Sequence, residues 1–519
     1  MPLSRRSFLT ASAAGALATG SAVPPAAAAG PQVLRAGDPA YAELAGRGYN
    51  RRFAARPDRI FVPTDTEQVR AAVARSVGEG AAMAVRSGGH CFEDFVDDER
   101  TRAIIDLHRM TAVTWDREHN AFSVAAGADL GGVYEHLLAA GVTAPAGICK
   151  GVGVGGFVAG GGYGPLSRSL GLMADHLYGV EVVTVDRAGT ASTVLATRGG
   201  PHADLWWAHT GGGGGNFGVV TRYLLRSPDA SGDEPARALP APPGAMLHTR
   251  LLLPPLGEES FGRFVGNYLA FFEQHSAPGD PFTELYAPLH IRPGLAGPSD
   301  ILILLRADRP DTQALFDEFV AAVSQGVFPA PILLPATRAS YADTVANVYY
   351  PKGMPGARVK AKTAYLRRAY SADQLRTLHR SLTDLRFLGE SQVEFMPFGG
   401  AVNAVAADAT AMPARDSFMT MLVHATWRLP GDDERYLTWA RELFHDLHAD
   451  SGGVPVPGGV YGGSYINYPD RDLTDYRWNT SGVPWHGFYY RGNYPRLQEI
   501  KARWDPNSLF RHRLSIDPG

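Results

Sequence analysis

The chain has 519 residues, 45% of them hydrophobic and 19% charged, with a formal net charge of −3. That length supports two large domains with their own cores, and the balanced charge, with no basic stripe, excludes nucleic acid as an expected partner. The 59 glycines and 38 prolines call for many shaped turns.

At the N-terminus, Arg5-Arg6 precede the weakly apolar run Thr10 to Val23 and the alanines Ala26 to Ala29. This is the pattern of a twin-arginine export signal over residues 1–29, cleaved near Ala29, and it predicts a secreted, extracellular protein; the alternative is a disordered tail. The apolar run is too short to anchor the chain, so no membrane partner is expected. Twin-arginine export carries folded proteins, which suits a chain that first acquires a bulky cofactor.

Residues 31 to about 60 lead in. Thr66 to Gly80 reads as an amphipathic helix, capped by Thr64 or Thr66, with Val69, Val73 and Val77 along one face. A strand over Ala82–Arg86 runs into Ser87-Gly88-Gly89-His90. Further strands are predicted at Ala103–Leu107 and Ala121–Ala125, and a helix over Gly131–Ala140, an α+β rhythm.

Residues 147–164 come next, and half of them are glycine. Such density is kept where backbone must approach something closely. A thiol, Cys149, stands near its start and a phenol, Tyr163, near its end, as in a backbone cradle around a flat or phosphorylated ligand. Gly151-x-Gly153-x-x-Gly156 with Asp175 beyond matches a dinucleotide fingerprint. The context argues against it: proline-broken Val142–Gly147 stands where a strand is needed, and Gly160-Gly161-Gly162 cuts the helix short.

Val180–Val185 is a strand with a turn at Asp186–Gly189. Asp204–His209 leads into a second glycine run, Gly211–Gly215, and then Asn216-Phe217-Gly218-Val219-Val220. Pro228–Gly244 marks a boundary. Beyond it, about 245–455 reads as a second α+β domain on an antiparallel sheet, with helices at Asp311–Ser324 and Asp432–Ala449. Tyr461–Asn493 is unusually aromatic, and Tyr494–Trp504 is a final helix. The only cysteines are Cys91 and Cys149. Export invites a disulfide between them, yet each sits in its own glycine-flanked motif, which suggests separate tasks. Neither has a metal-ligand spacing partner, and no metal site is expected.

Six motifs together resemble one family. They are R-S-G-G-H at 86–90, G-x-C-x-x-V-G at 147–153, G-G-G-Y-G at 160–164, D-L-W-W-A-x-x-G-G-G-G-G-N-F-G at 204–218, G-G-A-V-N at 399–403 and Y-x-N-Y-x-D at 465–470. The chain is similar to the berberine-bridge-enzyme-like FAD-linked oxidases of the vanillyl-alcohol oxidase superfamily, over nearly all of its length after residue 29. Cys91-Phe92-Glu93-Asp94-Phe95 looks most like the branch of aclacinomycin oxidoreductase; glycopeptide hexose oxidases and glucooligosaccharide oxidase are also similar.

The resemblance implies a two-domain α+β fold of the vanillyl-alcohol oxidase/PCMH type with an antiparallel-sheet substrate domain. The FAD-binding parts would be 31–235 and 456–519, and the substrate-binding domain 236–455. It implies FAD held covalently twice, by His90 at the 8α carbon and by Cys149 at C6. Arg86, Ser87, Gly88, Gly89, Gly153, Gly156, Gly160, Gly161, Tyr163, Val220, Asn467 and Tyr468 would complete the cofactor site. Cys91 is expected to be a small packing residue.

A carbinol C–H would lose hydride while a base takes the O–H proton. By resemblance the base is Tyr468, with Tyr163 and Tyr465 as further catalytic candidates or as packing residues. A phenol must have its pKa lowered by neighbours to serve near neutrality. Relatives of the aclacinomycin type carry a tyrosine just before G-G-A-V-N; Phe398 stands there, which favours a single oxidation. Trp478, Trp485 and Tyr489 line an entry groove or pack the core.

The expected activity is oxidation of an alcohol on a sugar or glycosylated natural product, with O2 reoxidising the flavin to give hydrogen peroxide, in a monomer or homodimer. The alternatives are a ring-closing or desaturating oxidase of an alkaloid or polyketide, whose base is more often a substrate-domain carboxylate, and a non-catalytic flavin-binding protein.

Overall fold

The computed structural model describes residues 30–294, 297–351, 356–384, 387 and 391–519; the expected export signal lies outside them. The described chain forms three sheets. The first is four-stranded, with β1 (Gln32–Leu34), β2 (Arg59–Val62), β3 (Met83–Arg86) and β4 (Ala103–Asp106) in the order β1-β2-β4-β3. Here β4 runs parallel to both β2 and β3. The second is antiparallel, with β5 (Val113–Asp116), β6 (Ala121–Ala125), β7 (Leu177–Val185), β8 (Ala191–Thr197) and β9 (Val219–Leu225) in the order β5-β6-β9-β7-β8.

The third sheet is also antiparallel. It contains β10 (Met246–Leu253), β11 (Leu285–Tyr286), β12 (Leu289–Ile291), β13 (Ser299–Arg306), β14 (Ile332–Leu333), β15 (Thr337–Ala339), β16 (Arg358–Leu366), β17 (Gln392–Pro397) and β18 (Met419–Trp427). Its path is β14-β10-β13-β12-β17-β18-β16, with β11 on β13 and β15 on β10.

Strand alternation decides which face of this sheet meets what. On β13, Ile301, Ile303 and Leu305 pack in a cluster with residues of the helices Glu258–Gln274, Thr312–Ser324, Ala372–Leu382 and Asp433–Leu447, while Leu302 and Leu304 join the core of the first half. On β18, Met421 and Val423 face the helices and Leu422 faces the other way. The helix Tyr494–Trp504 sends Leu497 and Ile500 back into that first-half core. The nine-stranded sheet is thus helix-covered on one face and closes onto the glycine-rich loops with the other.

The helix expected from Thr66 is present as Thr66–Gly78, but its cap is neither threonine: Asp65 accepts the Gln68 N–H at 2.8 Å. A carboxylate here satisfies an orphan donor and complements the positive helix end, which a hydroxyl does less well. Thr66 instead donates to Glu181 at 2.7 Å. The helix Leu130–Ala139 is capped by Asp129, which accepts the Gly132 N–H at 2.9 Å.

Candidate active site

The dinucleotide fingerprint is a decoy in structure as in context. Val154–Ala159 is a single short helix, and Asp175 is salt-bridged to Arg415 by two contacts of 2.9 and 2.7 Å. What the glycine-rich segment does instead is wall a cavity of about 560 Å³ between itself, the loop after β3, the end of the chain and the nine-stranded sheet.

Ser87, Gly88, Gly89 and His90 line this cavity, as do Cys149, Gly153, Gly156, Tyr163, Val220, Asn467 and Tyr468. A Cβ on Gly88 would lie 2.3 Å from Gly153 N, and one on Gly153 would lie 2.1 Å from Gly88 N. These two loops therefore close backbone against backbone. Gly156 differs: a Cβ there meets nothing within 4 Å, so its space opens on the cavity.

Three expected cofactor residues have protein contacts of their own. The Arg86 side chain is buried against Asp106 at 2.8 Å and Asp97 at 3.3 Å, and the residue lines the cavity. A guanidinium without solvent needs such partners, and here they lie behind the strand. Gly160 and Gly161 fall outside the cavity lining. A Cβ on Gly160 would strike Asn467 Oδ1 at 2.0 Å, so this glycine makes room for Asn467, and Gly161, at φ +108°, lies against Met412.

His90 stacks on Tyr49, with centroids 4.9 Å apart and planes 19° apart. Burial, aided by the nearby Arg47 guanidinium, lowers its pKa to about 4, against the opposing charge of Asp129. The imidazole is neutral at pH 7 and keeps a nucleophilic nitrogen. Cys149 and Cys91 are not joined in a disulfide. Burial pushes the Cys91 thiol up to about 12, as suits a packing residue. The Cys149 loop is held from the substrate side: Lys150 N–H donates to the Tyr350 carbonyl and Tyr350 N–H to the Ile148 carbonyl, both at 3.0 Å.

The three tyrosines separate clearly. Tyr163 donates its hydroxyl to the Pro397 carbonyl. Tyr465 accepts from Gly162 N–H at 3.1 Å and Asn467 Nδ2 at 2.8 Å. Asn467 also donates to the Phe157 carbonyl at 2.9 Å, so Tyr465 and Asn467 brace the glycine cradle. Tyr468 lies half-buried on the cavity with its ring parallel to Phe92. Its pKa is raised well above the ordinary value, first by burial and then by the charge of Glu394, where the sequence reading asked for a lowered one. Both effects favour the protonated form, so the resting phenol keeps its proton.

The opposite wall carries a polar cluster that the sequence reading missed. In the sheet register His290 on β12 faces Glu394 on β17, and Gln392 on β17 faces His424 on β18. Gln392 Nε2 donates to Glu394 Oε1 at 2.6 Å, and His424 Nδ1 lies 3.4 Å from the same oxygen. Burial pushes the Glu394 pKa up, but His424, His290 and Gln392 together bring it below the ordinary value, so Glu394 is ionised. His424 Nε2 has no hydrogen-bond partner among the described residues. The only sequence signal was a polar residue at each alternate position in Gln392-Val393-Glu394, too short to separate from an exposed strand face.

Phe398 is fully buried against Tyr163 and Tyr365, with centroids 5.3 and 5.1 Å apart. Trp478, Trp485 and Tyr489 lie outside the cavity lining. Trp485 and Tyr489 pack together at 6.2 Å, and the Tyr489 hydroxyl accepts the Asp470 N–H at 2.9 Å, so the core-packing alternative holds for these two. Trp478 packs instead on His445 and Arg441.

The residues present suit a long, flat cofactor. One cavity joins a neutral imidazole, a thiol, glycine backbone with open ground at Gly156, and a far end walled by Gly213–Gly215 and His512. Among the described residues no group of three or more His, Cys, Asp or Glu is placed to hold a metal ion, and no helix is long and apolar enough to cross a membrane.

Comparison with known proteins agrees. Residues 57–193 match the family model "FAD binding domain", and residues 464–517 match "Berberine and berberine like". An aclacinomycin-N/aclacinomycin-A oxidase of Streptomyces galilaeus is 45% identical, covering 98% of this chain and 95% of its own. The crystal structure of a flavoenzyme of shunt-product recycling in caerulomycin biosynthesis superposes with a TM-score of 0.92 at 44% identity, over 95% of this chain and 100% of its own. A glycopeptide hexose oxidase solved with teicoplanin gives 0.90 at 43%, over 94% and 99%.

Proposed function

The chain belongs to the berberine-bridge-enzyme-like family of FAD-linked oxidoreductases, with a fold of the vanillyl-alcohol oxidase type, and we propose that it is a secreted oxidase acting on an alcohol of a sugar or glycosylated natural product. When bound, FAD supplies the acceptor for the hydride that leaves the carbinol carbon. His90 and Cys149 hold the cofactor covalently, with Ser87, Gly88, Gly89, Gly153, Gly156, Val220 and Asn467 around it. O2 is the final acceptor and hydrogen peroxide the second product. The FAD-binding parts are residues 31–235 and 456–519, and the substrate domain is 236–455.

The observation that carries this reading is one cavity lined by His90, Cys149, Tyr468, Glu394 and His424. Tyr468 receives the alcohol proton as the C–H bond breaks. Its high pKa keeps the resting phenol protonated, so that proton must leave to the water that reaches this half-buried ring as the new one arrives. Phe398, which offers no second phenol, supports a single oxidation to ketone, aldehyde or lactone.

A second reading has its own support. Glu394 is an ionised carboxylate on the substrate wall, the type of base a ring-closing or desaturating oxidase uses. A panel of free hexoses, starting with D-glucose, methyl glycosides and glycosylated aromatic polyketides, with peroxide detection and product mass, tests both. Peroxide with loss of two hydrogens from a sugar carbinol supports the first reading. Turnover of only the aglycones supports the second, and a doubly oxidised sugar overturns the single-step assignment.

A further inference from the structure

Behind Tyr468 and His90 lies a buried ionic cluster that neither reading above uses. Lys360 on β16 holds Glu93 Oε1 at 2.7 Å and Asp470 Oδ1 at 2.6 Å, and all three side chains are at most 3% exposed. Lys362, two residues along the same strand, holds Asp470 Oδ2 at 2.6 Å and Asp472 Oδ2 at 3.0 Å. Arg441, on the helix Asp433–Leu447, closes the cluster on Asp472 at 2.9 Å.

Among the directly paired groups, Glu93, Asp470 and Asp472 face Lys360, Lys362 and Arg441, and the Arg52 guanidinium adds its charge beside Glu93 and Asp472. Buried ion pairs of this kind contribute little net stability over an apolar filling of the same shape, so their position is the informative feature. Glu93 follows His90 by three residues, and Asp470 follows Tyr468 by two. One ammonium group therefore spans the loop that carries the proposed cofactor anchor and the loop that carries the proposed base. It does so from a strand of the substrate sheet.

The loops also touch directly. Phe92 and Tyr468 lie ring to ring, 5.5 Å apart and 7° from parallel, and Arg471 Nη1 donates to Asp94 Oδ2 at 2.7 Å. Flat stacking fixes the separation of the two loops but lets one ring slide over the other. The Glu93–Lys360–Asp470 bridge removes that freedom, because each carboxylate is held at hydrogen-bond length.

We propose that Lys360 is a positioning residue of the oxidation, setting the register between the His90 loop and the Tyr468 loop. This rests on the reading of Tyr468 and His90 given above, and a misplacement of the order of 1 Å at such a site costs roughly a hundredfold in rate.

The test uses the FAD-loaded enzyme. Lys360→Met/Glu93→Gln removes one charge of each sign and leaves Asp470 on Lys362. Two probes are read on it: reversible addition of sulfite to the flavin, and anaerobic flavin reduction by the best donor of the sugar panel. We expect full flavin occupancy, a sulfite Kd shifted at least about fivefold, and reduction slowed at least about tenfold with KM within about threefold of wild type. A sulfite Kd within about twofold of wild type overturns the proposal, whatever the sugar panel gives. Failure of every sugar to reduce the wild-type flavin counts against the substrate reading alone. If the double variant does not fold, Glu93→Gln, which keeps Lys360 on Asp470, takes its place under the same criterion.

Discussion

Phe92 and Tyr468 stack face to face, with centroids 5.5 Å apart and planes inclined by 7°. Phe92 follows His90 by two residues, and its ring also lies 5.7 Å from His424 on the substrate wall. One aromatic side chain thus touches the loop of the proposed anchor, the proposed base and the polar wall opposite. The predictions below follow from that junction and its surroundings.

If His90 and Cys149 both bind FAD covalently, acid-precipitated protein stays yellow. His90→Ala and Cys149→Ala should each leave flavin attached through the remaining bond, and the double variant should release it. In-gel fluorescence and the absorbance of the supernatant report this. Release of all flavin from the wild type would remove both assignments.

Tyr468→Phe should slow anaerobic flavin reduction by about 10²–10⁴-fold, the usual contribution of a positioned acid–base group. Flavin content should not change, because the hydroxyl is absent from the anchoring residues. Glu394→Gln measured alongside separates the two readings of function. A larger loss in Glu394→Gln than in Tyr468→Phe transfers the base to the carboxylate.

Acid should destabilise the protein in two windows. Burial, against the pull of a backbone hydrogen bond, lowers His209 to about 4 and His448 to about 3. The unfolded chain binds these protons near pH 6.5 and the folded chain does not, so stability falls as the pH drops from about 6.5 to about 4 for His209 and to about 3 for His448. Asp106 behaves in the next window. Burial raises it, but the His108 hydrogen bond and the Arg86 and Arg47 charges outweigh this and hold it at about 2. Its depressed pKa contributes stability above about pH 4, lost as the pH falls toward 2. Urea midpoints measured across the range check both, and His448→Phe should flatten the loss between about pH 6.5 and 3 while leaving the steeper fall toward pH 2.

The glycines make a paired prediction. Gly156→Ala places its methyl in open cavity space and inside a helix, so the apoprotein should keep or slightly gain stability while FAD loading falls. Gly160→Ala drives its methyl against Asn467 at 2.0 Å and should lower the melting temperature of the apoprotein as well. Differential scanning calorimetry with flavin absorbance distinguishes them. Unchanged FAD loading in Gly156→Ala shows that its open space is not cofactor space.

The linear chain carried much of this. Val69 and Val73 at helical spacing, the apolar run of β7, and Tyr494–Trp504 each state their own period, and their elements appear where those patterns place them. The glycine motifs, with His90 and Cys149 inside them, marked loops that line the cavity, because close backbone approach leaves a compositional trace; FAD itself came from the family resemblance.

What the chain did not state is which side chains spend their polar groups on one another. Arg86 turns to Asp106, Tyr163 donates a hydrogen bond to the Pro397 carbonyl, and Gly160 makes room for Asn467. Each outcome depends on a neighbour distant in sequence, brought near only when strands pair and loops close. The wall formed by His290, Glu394 and His424 has the same origin: antiparallel register sets their juxtaposition, and register is fixed by the burial of whole strand faces. Local pattern therefore determined the elements and the cofactor loops, while long-range pairing alone decided the charge and hydrogen bonding inside the cavity.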